Sequence, residues 1–243
     1  MVRPGPYLAQ TKVELALTLR RGESVLLTMG IPVMLLVFFS LVDVLPTGTD
    51  DPVQFLAPGI LALAVMSTAM VSLAIATGFE RQYGVLKRLG STPLGRPRLL
   101  AAKTSAIVAV EILQTVVLVA VALVLGWTPH GQPVAALAAI VLATSAFAGV
   151  GLLMAGTLRA EITLAGANGL YLVLLLLGGM IISLDKLPSA MRAVAQALPS
   201  GALSDALHGA LSTSGHVPGR AWIVLAVWAV LAPAAASRLF RWE

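Results

Sequence analysis

The sequence predicts an all-α polytopic membrane protein with six transmembrane helices and both termini on the cytoplasmic side. Composition is the first reason. Of 243 residues, 58 % are hydrophobic and 11 % charged, where soluble domains carry about 45–50 % and about 25 %. So few charges cannot clothe a fold of this size in water. The second reason is run length: six apolar stretches reach or approach the roughly 20 residues a helix needs to cross a hydrocarbon core of about 30 Å. The third is the segregation of basic residues along the chain. A barrel is excluded, because runs such as 171–177 show none of the period-two alternation of a lipid-facing strand.

The elements follow in order as one transmembrane domain over residues 1–243. Residues 6–22 read as an interfacial helix, with Leu8, Leu15 and Leu19 near one side and Lys12, Arg20 and Arg21 placed to snorkel toward headgroups. Nothing before residue 22 has the apolar core of a cleavable signal. The first span, 25–45, is therefore expected to act as an uncleaved anchor, kinked at Pro32 because that residue lacks a backbone donor. A short turn containing Pro46, Gly48, Asp50 and Asp51 leads to the second span at 55–79. The third span, 104–127, and the fourth, 134–158, are joined by a turn containing Pro129 and Gly131. The fifth span covers 162–184 and the sixth 221–236.

Two connections are long and patterned. Residues 80–92 read as a short cytoplasmic helix stopped by Gly90, with Leu86 and Leu89 three apart and Lys87 and Arg88 on another face. Such a helix offers a small apolar knob ringed by charge, suited to a groove on a partner. Residues 185–212 hold two amphipathic pieces. The first carries Met191, Val194 and Leu198. The second follows Pro199, with Ser200 as a cap and Leu203, Leu207, Ala210 and Leu211 on one face.

Charge fixes the expected orientation. Of the 16 basic residues, Arg3, Lys12, Arg20, Arg21, Arg81, Lys87, Arg88, Arg96, Arg98, Lys103, Arg159, Arg238 and Arg241 fall on the side of the termini. Lys186, Arg192 and Arg220 share the other side with Asp43, Asp50, Asp51, Asp185 and Asp205. This bias follows the positive-inside rule. It accounts for the net charge of +5 without nucleic acid as a partner.

Glu111 is the one carboxylate deep in a span, about 11 Å along the third helix. An intramembrane acid is costly and often functional. It suits a contact with a cationic substrate group, a proton site, or a structural hydrogen bond involving Gln114 or Asn168. The pairs Ser145/Gly149 and Gly151/Ala155 permit close helix contacts, within the chain or between chains. Metal chemistry has no ligand set: cysteine is absent, and His130, His208 and His216 all fall on the outer side. An intramembrane hydrolase likewise lacks its nucleophile–base pair or His-Glu-x-x-His helix.

The stretch Glu80, Arg81, Gly84, Val85, Leu86, Arg88, Leu89, Thr92 and Pro93 resembles the intracellular signature of type-2 ABC export permeases. Valine at 85 stands where threonine is frequent. Phe55-Leu56-Ala57-Pro58-Gly59-Ile60 is similar to the start of that family's second span. Gly178-Gly179, Leu187-Pro188 and Leu198-Pro199 are similar to its last extracellular region. The resemblance implies that Glu80, Arg81, Gly84, Val85, Leu86, Lys87, Arg88 and Leu89 form an ATPase-coupling helix. It implies that 185–212 is a re-entrant hairpin dipping into the outer leaflet; a hairpin lying on the surface fits its amphipathic faces too. The chain has no Gly-x-x-x-x-Gly-Lys-Ser/Thr loop, so no cofactor is expected on it. ATP and magnesium would bind a separate ABC ATPase subunit, in two copies, beside a second permease copy or paralogue in the inner cell membrane. The implied activity is export of a hydrophobic or amphipathic, drug- or lipid-like substrate, with the chain itself not an enzyme. A polysaccharide or glycolipid exporter is the alternative within the family. An ion-coupled carrier using Glu111 is the alternative outside it.

Overall fold

Every regular element among the described residues is helical. The computed structural model describes residues 5–20, 22–42, 51–90, 95–181, 184–212 and 215–242. The expectations placed on Arg3, Arg21, Asp43, Pro46, Gly48, Asp50, Thr92 and Pro93 therefore lie outside the described residues.

Helix α1 (Pro6–Arg20) opens on a proline, which forfeits no hydrogen bond in a first turn. It turns Glu14 inward, 8 % exposed, and leaves Leu8, Val13, Leu17 and Leu19 uncovered. That is the reverse of a water-soluble amphipathic helix and the arrangement of one that rests on acyl chains. Helix α2 (Gly22–Leu41) is continuous through Pro32.

Among the described residues, five helical runs are long and apolar enough to cross a membrane: Pro52–Gln82, Pro97–Val124, Pro133–Thr157, Ala160–Leu177 and Gly219–Leu239. The first expected span is helical as α2, with a shorter apolar stretch at Thr28–Leu41. The 52–82 run comprises α3 (Pro52–Met66), a π-helical segment (Ser67–Ser72) and α4 (Leu73–Gln82). It is the central element, with every residue from Leu56 to Met66 buried. Pro58 deprives the backbone of a donor there. Gly59 then admits the backbone carbonyl of Met180, which would occupy the place of any Cβ at position 59.

A turn at Tyr83 and Gly84 separates α4 from α5 (Val85–Gly90), so the helix expected over 80–92 is two pieces. Gly84 has φ +69°, a conformation that favours glycine, and this breaks the axis. Helix α6 (Arg96–Val124) begins eight residues before the expected 104, with Pro97 in its first turn. Its 29 residues extend about 44 Å, longer than a bilayer core, so the basic stem stands clear of the hydrocarbon. Helix α7 (Pro133–Thr157) is followed by α8 (Ala160–Leu177). Helix α8 stops short of the expected 184 because Gly178 and Gly179 form a turn, the latter at φ +69°.

The connection after α8 holds α9 (Ser189–Ala197) and α10 (Pro199–Leu211), broken at Leu198 in an extended conformation. Helix α11 (Gly219–Leu239) closes the fold along α7, the most extensive helix pair. Gly149 of α7 accommodates Ala232 and Pro233, Gly151 accommodates Met70, and the Ser145 hydroxyl donates to the Ala229 carbonyl at 2.9 Å. These small residues thus serve contacts within the chain.

At the end of the bundle where α3 begins, the Gln54 amide donates to the Gly126 carbonyl at 3.1 Å, and the His130 and Gln132 amides donate to the carbonyls of Leu211 and Ala210. The α6–α7 turn is thereby tied both to the first turn of α3 and to the end of α10.

Candidate functional site

At the opposite end, α4 terminates in three consecutive side chains that reach three different spans. The Glu80 carboxylate pairs with the Lys103 ammonium on α6. Arg81 donates from Nη2 to the Leu158 carbonyl at 2.5 Å, capping α7, whose last carbonyls carry the negative end of the helix dipole. Gln82 donates from Nε2 to Glu161 Oε1 on α8 at 2.8 Å. Successive helix residues point about 100° apart, so three in a row fan toward three neighbours.

Lys103 is a junction. Its side chain is 3 % exposed and also pairs with Glu14 of α1 at 2.8 Å. Glu14 in turn accepts from Gln10 Nε2 at 2.8 Å. Tyr7 and Ser105 share a second polar contact between α1 and α6, their oxygens 2.5 Å apart. A buried ammonium needs paired carboxylates to offset its lost hydration, and here they come from two other elements. The same end gathers the C-terminal tail, where the Arg241 amide donates to the Gly156 carbonyl at 3.0 Å.

Beyond this stem the surface differs from the one expected. Leu86 is fully buried and Leu89 packs against the core, so neither forms an exposed knob. The two leucines hold α5 down on the bundle. The apolar groups presented outward are Tyr83, 68 % exposed, and Val85, with Lys87 and Arg88 exposed beside them. The Tyr83 ring stacks on Phe79 with centroids 6.2 Å apart. Sequence reasoning passed over Tyr83. Its one signal was a large aromatic immediately before the glycine that ends α4.

Next to the stem lies a cavity of about 710 Å³. Ile31, Val71, Ile75 and Phe79 supply apolar wall, while Thr28, Ser67, Ser72 and Asn168 add polar groups; Glu80 and Tyr83 reach it from the stem. Two of those hydroxyls come from the π segment, a motif frequent at functional sites. The segment is held by the Thr68 hydroxyl, which donates to Gln114 Oε1 at 2.9 Å, while Gln114 Nε2 donates to the Thr28 carbonyl at 2.6 Å.

Glu111 lies outside these walls. It is 4 % exposed and accepts from the Thr144 hydroxyl of α7 at 2.7 Å. Neither Gln114 nor Asn168 is its partner. Gln114 serves the π segment, and Asn168 donates to its own helix at the Leu164 carbonyl, 2.8 Å away. Asn168 itself is exposed on α8, one residue before Gly169. Among the described residues no group of three or more potential metal ligands is assembled.

A family model described as ABC-2 type transporter matches residues 7–211. No curated protein matches the chain.

Proposed function

The chain belongs to the ABC-2 type transporter family, and on that premise we propose that it is the membrane-spanning half of an ATP-driven exporter, moving a hydrophobic or amphipathic, drug- or lipid-like substrate. As a member of that family it is a multi-pass membrane permease subunit, and permeases of this family work with an ABC ATPase. Two ATPase subunits carrying ATP and magnesium, a second permease copy or paralogue, six spans and N-in/C-in placement in the inner cell membrane complete the proposal.

The observation that carries the reading is the fan of Glu80, Arg81 and Gln82. A partner that pushes on Tyr83 and Val85 displaces the end of α4, and α4 is fastened directly to α6, α7 and α8. Lys103 extends the linkage to α1. Force that reaches the end of α4 is distributed to four elements. Glu80 and Arg81 thus act as anchors of the lever, Gly84 as its bend, Leu86 and Leu89 as its seat, and Tyr83, Val85, Lys87 and Arg88 as the face offered to the ATPase.

The inner cavity supports the substrate class. Its volume of about 710 Å³ falls in the range of small-molecule sites. Apolar walls with scattered hydroxyls suit a molecule that is mostly apolar with a few polar groups. The engagement of Glu111 with Thr144, away from the cavity, supports a structural role and weakens the ion-coupled carrier.

The test is reconstitution of the chain with the ABC ATPase encoded alongside it. The two are expected to co-purify, and lipid vesicles holding both are expected to hydrolyse ATP and to move a fluorescent amphipathic dye. Failure to associate overturns the exporter reading.

A further inference from the structure

The stem is crowded with cations, but the cavity of about 710 Å³ beside it is not. Lys12, Lys87, Arg88 and Arg98 are exposed on α1, α5 and α6 without lining it. Among the described residues of its wall there is no lysine, arginine or histidine, and the one carboxylate is that of Glu80. The Glu80 side chain is 17 % exposed and that of its partner Lys103 is 3 % exposed. The carboxylate therefore borders the cavity while the ammonium sits behind it. Lys103 is also shared with Glu14, so the three charges together leave one negative charge in excess.

The uncharged polar groups of the wall have oxygens to spare. A helical hydroxyl commonly returns to the carbonyl one turn back, as Thr18 does to Glu14 at 2.9 Å and Thr104 to Leu100 at 3.1 Å. Ser67 and Ser72, the first and last residues of the π segment, have no such partner among the described residues. Asn168 donates from Nδ2 to the Leu164 carbonyl and keeps Oδ1 as an acceptor. The rings of Phe79 and Tyr83 also line the cavity, and an aromatic face attracts a cation through its quadrupole. Carboxylate, amide oxygen, hydroxyls and ring faces all favour positive charge. A negative head would meet Glu80 with neither an ammonium nor a guanidinium to offset its lost hydration.

We propose that this cavity selects lipophilic cations, molecules with an ammonium or a delocalised positive charge on an apolar body, and rejects amphiphiles with anionic heads. The inference rests on the exporter reading and narrows its substrate class from amphipathic molecules in general to one sign of charge. Apolar wall from Ile31, Val71 and Ile75 takes the body of such a molecule, and the Phe79 ring with the oxygens of Glu80, Ser72 and Asn168 takes its charge. Tyr83 borders the same cavity but also belongs to the face offered to the ATPase, so Phe79 and Ser72 are the positions that report on the ligand alone.

The permease alone, held in nanodiscs of zwitterionic lipid, tests the selection without any ATPase. Tetraphenylphosphonium and tetraphenylborate share shape and apolar surface and differ in the sign of their charge. Each is measured separately by equilibrium dialysis in sodium buffer, against empty nanodiscs of the same lipid so that partition into the bilayer is subtracted. Saturable binding of the phosphonium is expected, at least about tenfold tighter than any of the borate, a ratio that one contact between opposite charges near a protein surface can supply. Phe79→Leu keeps apolar bulk and removes the ring, and should weaken phosphonium binding roughly two- to fivefold, the loss of one cation–π contact. Ser72→Lys should abolish phosphonium binding and Ser72→Asp should tighten it. Thermal unfolding of the same samples tells a lost site from a lost fold, and F79L and S72D carry the test if S72K does not fold. Equal affinity for the two ions, or wild-type phosphonium binding in both F79L and S72D, overturns the charge selection. No saturable binding of either ion overturns the cavity as a ligand site. In vesicles holding the ATPase, ATP-driven movement of tetraphenylphosphonium is expected; its absence beside intact selective binding refutes the exporter reading and leaves the cation site standing.

Discussion

Replacing Tyr83 by alanine separates docking from folding more cleanly than any change at Leu86. Tyr83 is 68 % exposed and touches the bundle through its stack on Phe79, so losing the ring costs about 0.5–1.5 kcal/mol of stability at most. At about 2–4 °C per kcal/mol for a chain of this length, the thermal midpoint should fall by no more than a few degrees. A tyrosine anchoring an interface contributes at least about 2 kcal/mol, which corresponds to roughly a 30-fold loss of affinity. Leu86→Ala has the opposite signature. Its side chain is fully buried, and truncation costs about 2–5 kcal/mol of stability. The assay is binding of the ATPase to nanodisc-held permease by interferometry, with thermal unfolding of the same samples. Y83A should bind roughly 30-fold more weakly at a nearly unchanged midpoint, and L86A should unfold early. An unchanged Kd for Y83A, or a docking defect in L86A at wild-type stability, would falsify the assignment of the docking face.

Three further outcomes follow from the geometry. Lys103→Met leaves the carboxylates of Glu14 and Glu80 together without their counter-charge and should destabilise by about 3–5 kcal/mol; Lys103→Arg should recover much of this, as read by thermal unfolding in detergent. Gly59→Ala drives a methyl into the Met180 carbonyl, and neither group can rotate away; the expected loss is about 1–3 kcal/mol, with faster exchange at the Gly178–Gly179 turn. Glu111→Gln keeps an acceptor for Thr144 and should leave transport within about twofold, as expected of a change that removes no structural contact. Glu111→Ala removes that acceptor and should cost about 1–3 kcal/mol. A transport loss of tenfold or more in E111Q at normal stability would restore the proton-carrier idea.

Long apolar runs made the helices legible in the sequence, because length and hydropathy alone decide whether a helix suits a bilayer. Their ends were less legible, since glycine and proline placement and not hydropathy sets them. Helix α8 ends at Gly178 because Gly179 turns left-handed, yet the apolar run continues to 184. Helix α6 begins at Arg96 because a charged helical stem can stand outside the membrane. The helical character of the stretch expected to couple to an ATPase was legible, but not which of its faces is buried. Leucines three apart mark one face of a helix, and pattern alone does not tell whether that face meets a partner or its own bundle. Leu86 chose the bundle. The partnership of Lys103 with Glu14 joins residues 89 positions apart, and nothing in either segment announces the other. For Glu111, sequence neighbours and span depth suggested Gln114 or Asn168, while the partner was a threonine on the adjacent span.

The π-helical segment at Ser67–Ser72 has a consequence for how the second span keeps two sets of neighbours. Its first half must face its glycine to Met180, and its last turn must point Glu80 at Lys103. A wider turn takes up about one additional residue relative to an α-helix, and one residue is worth about 100° of azimuth. Straightening this segment into an ordinary α-helix of the same length would leave the first half seated and swing the last turn by roughly 100°. Glu80, Arg81 and Gln82 would each then present themselves to the wrong span. The two ends of this helix are thus phased to one another by a single count of residues, and a relative without the wide turn keeps that phase only if the same helix is one residue shorter.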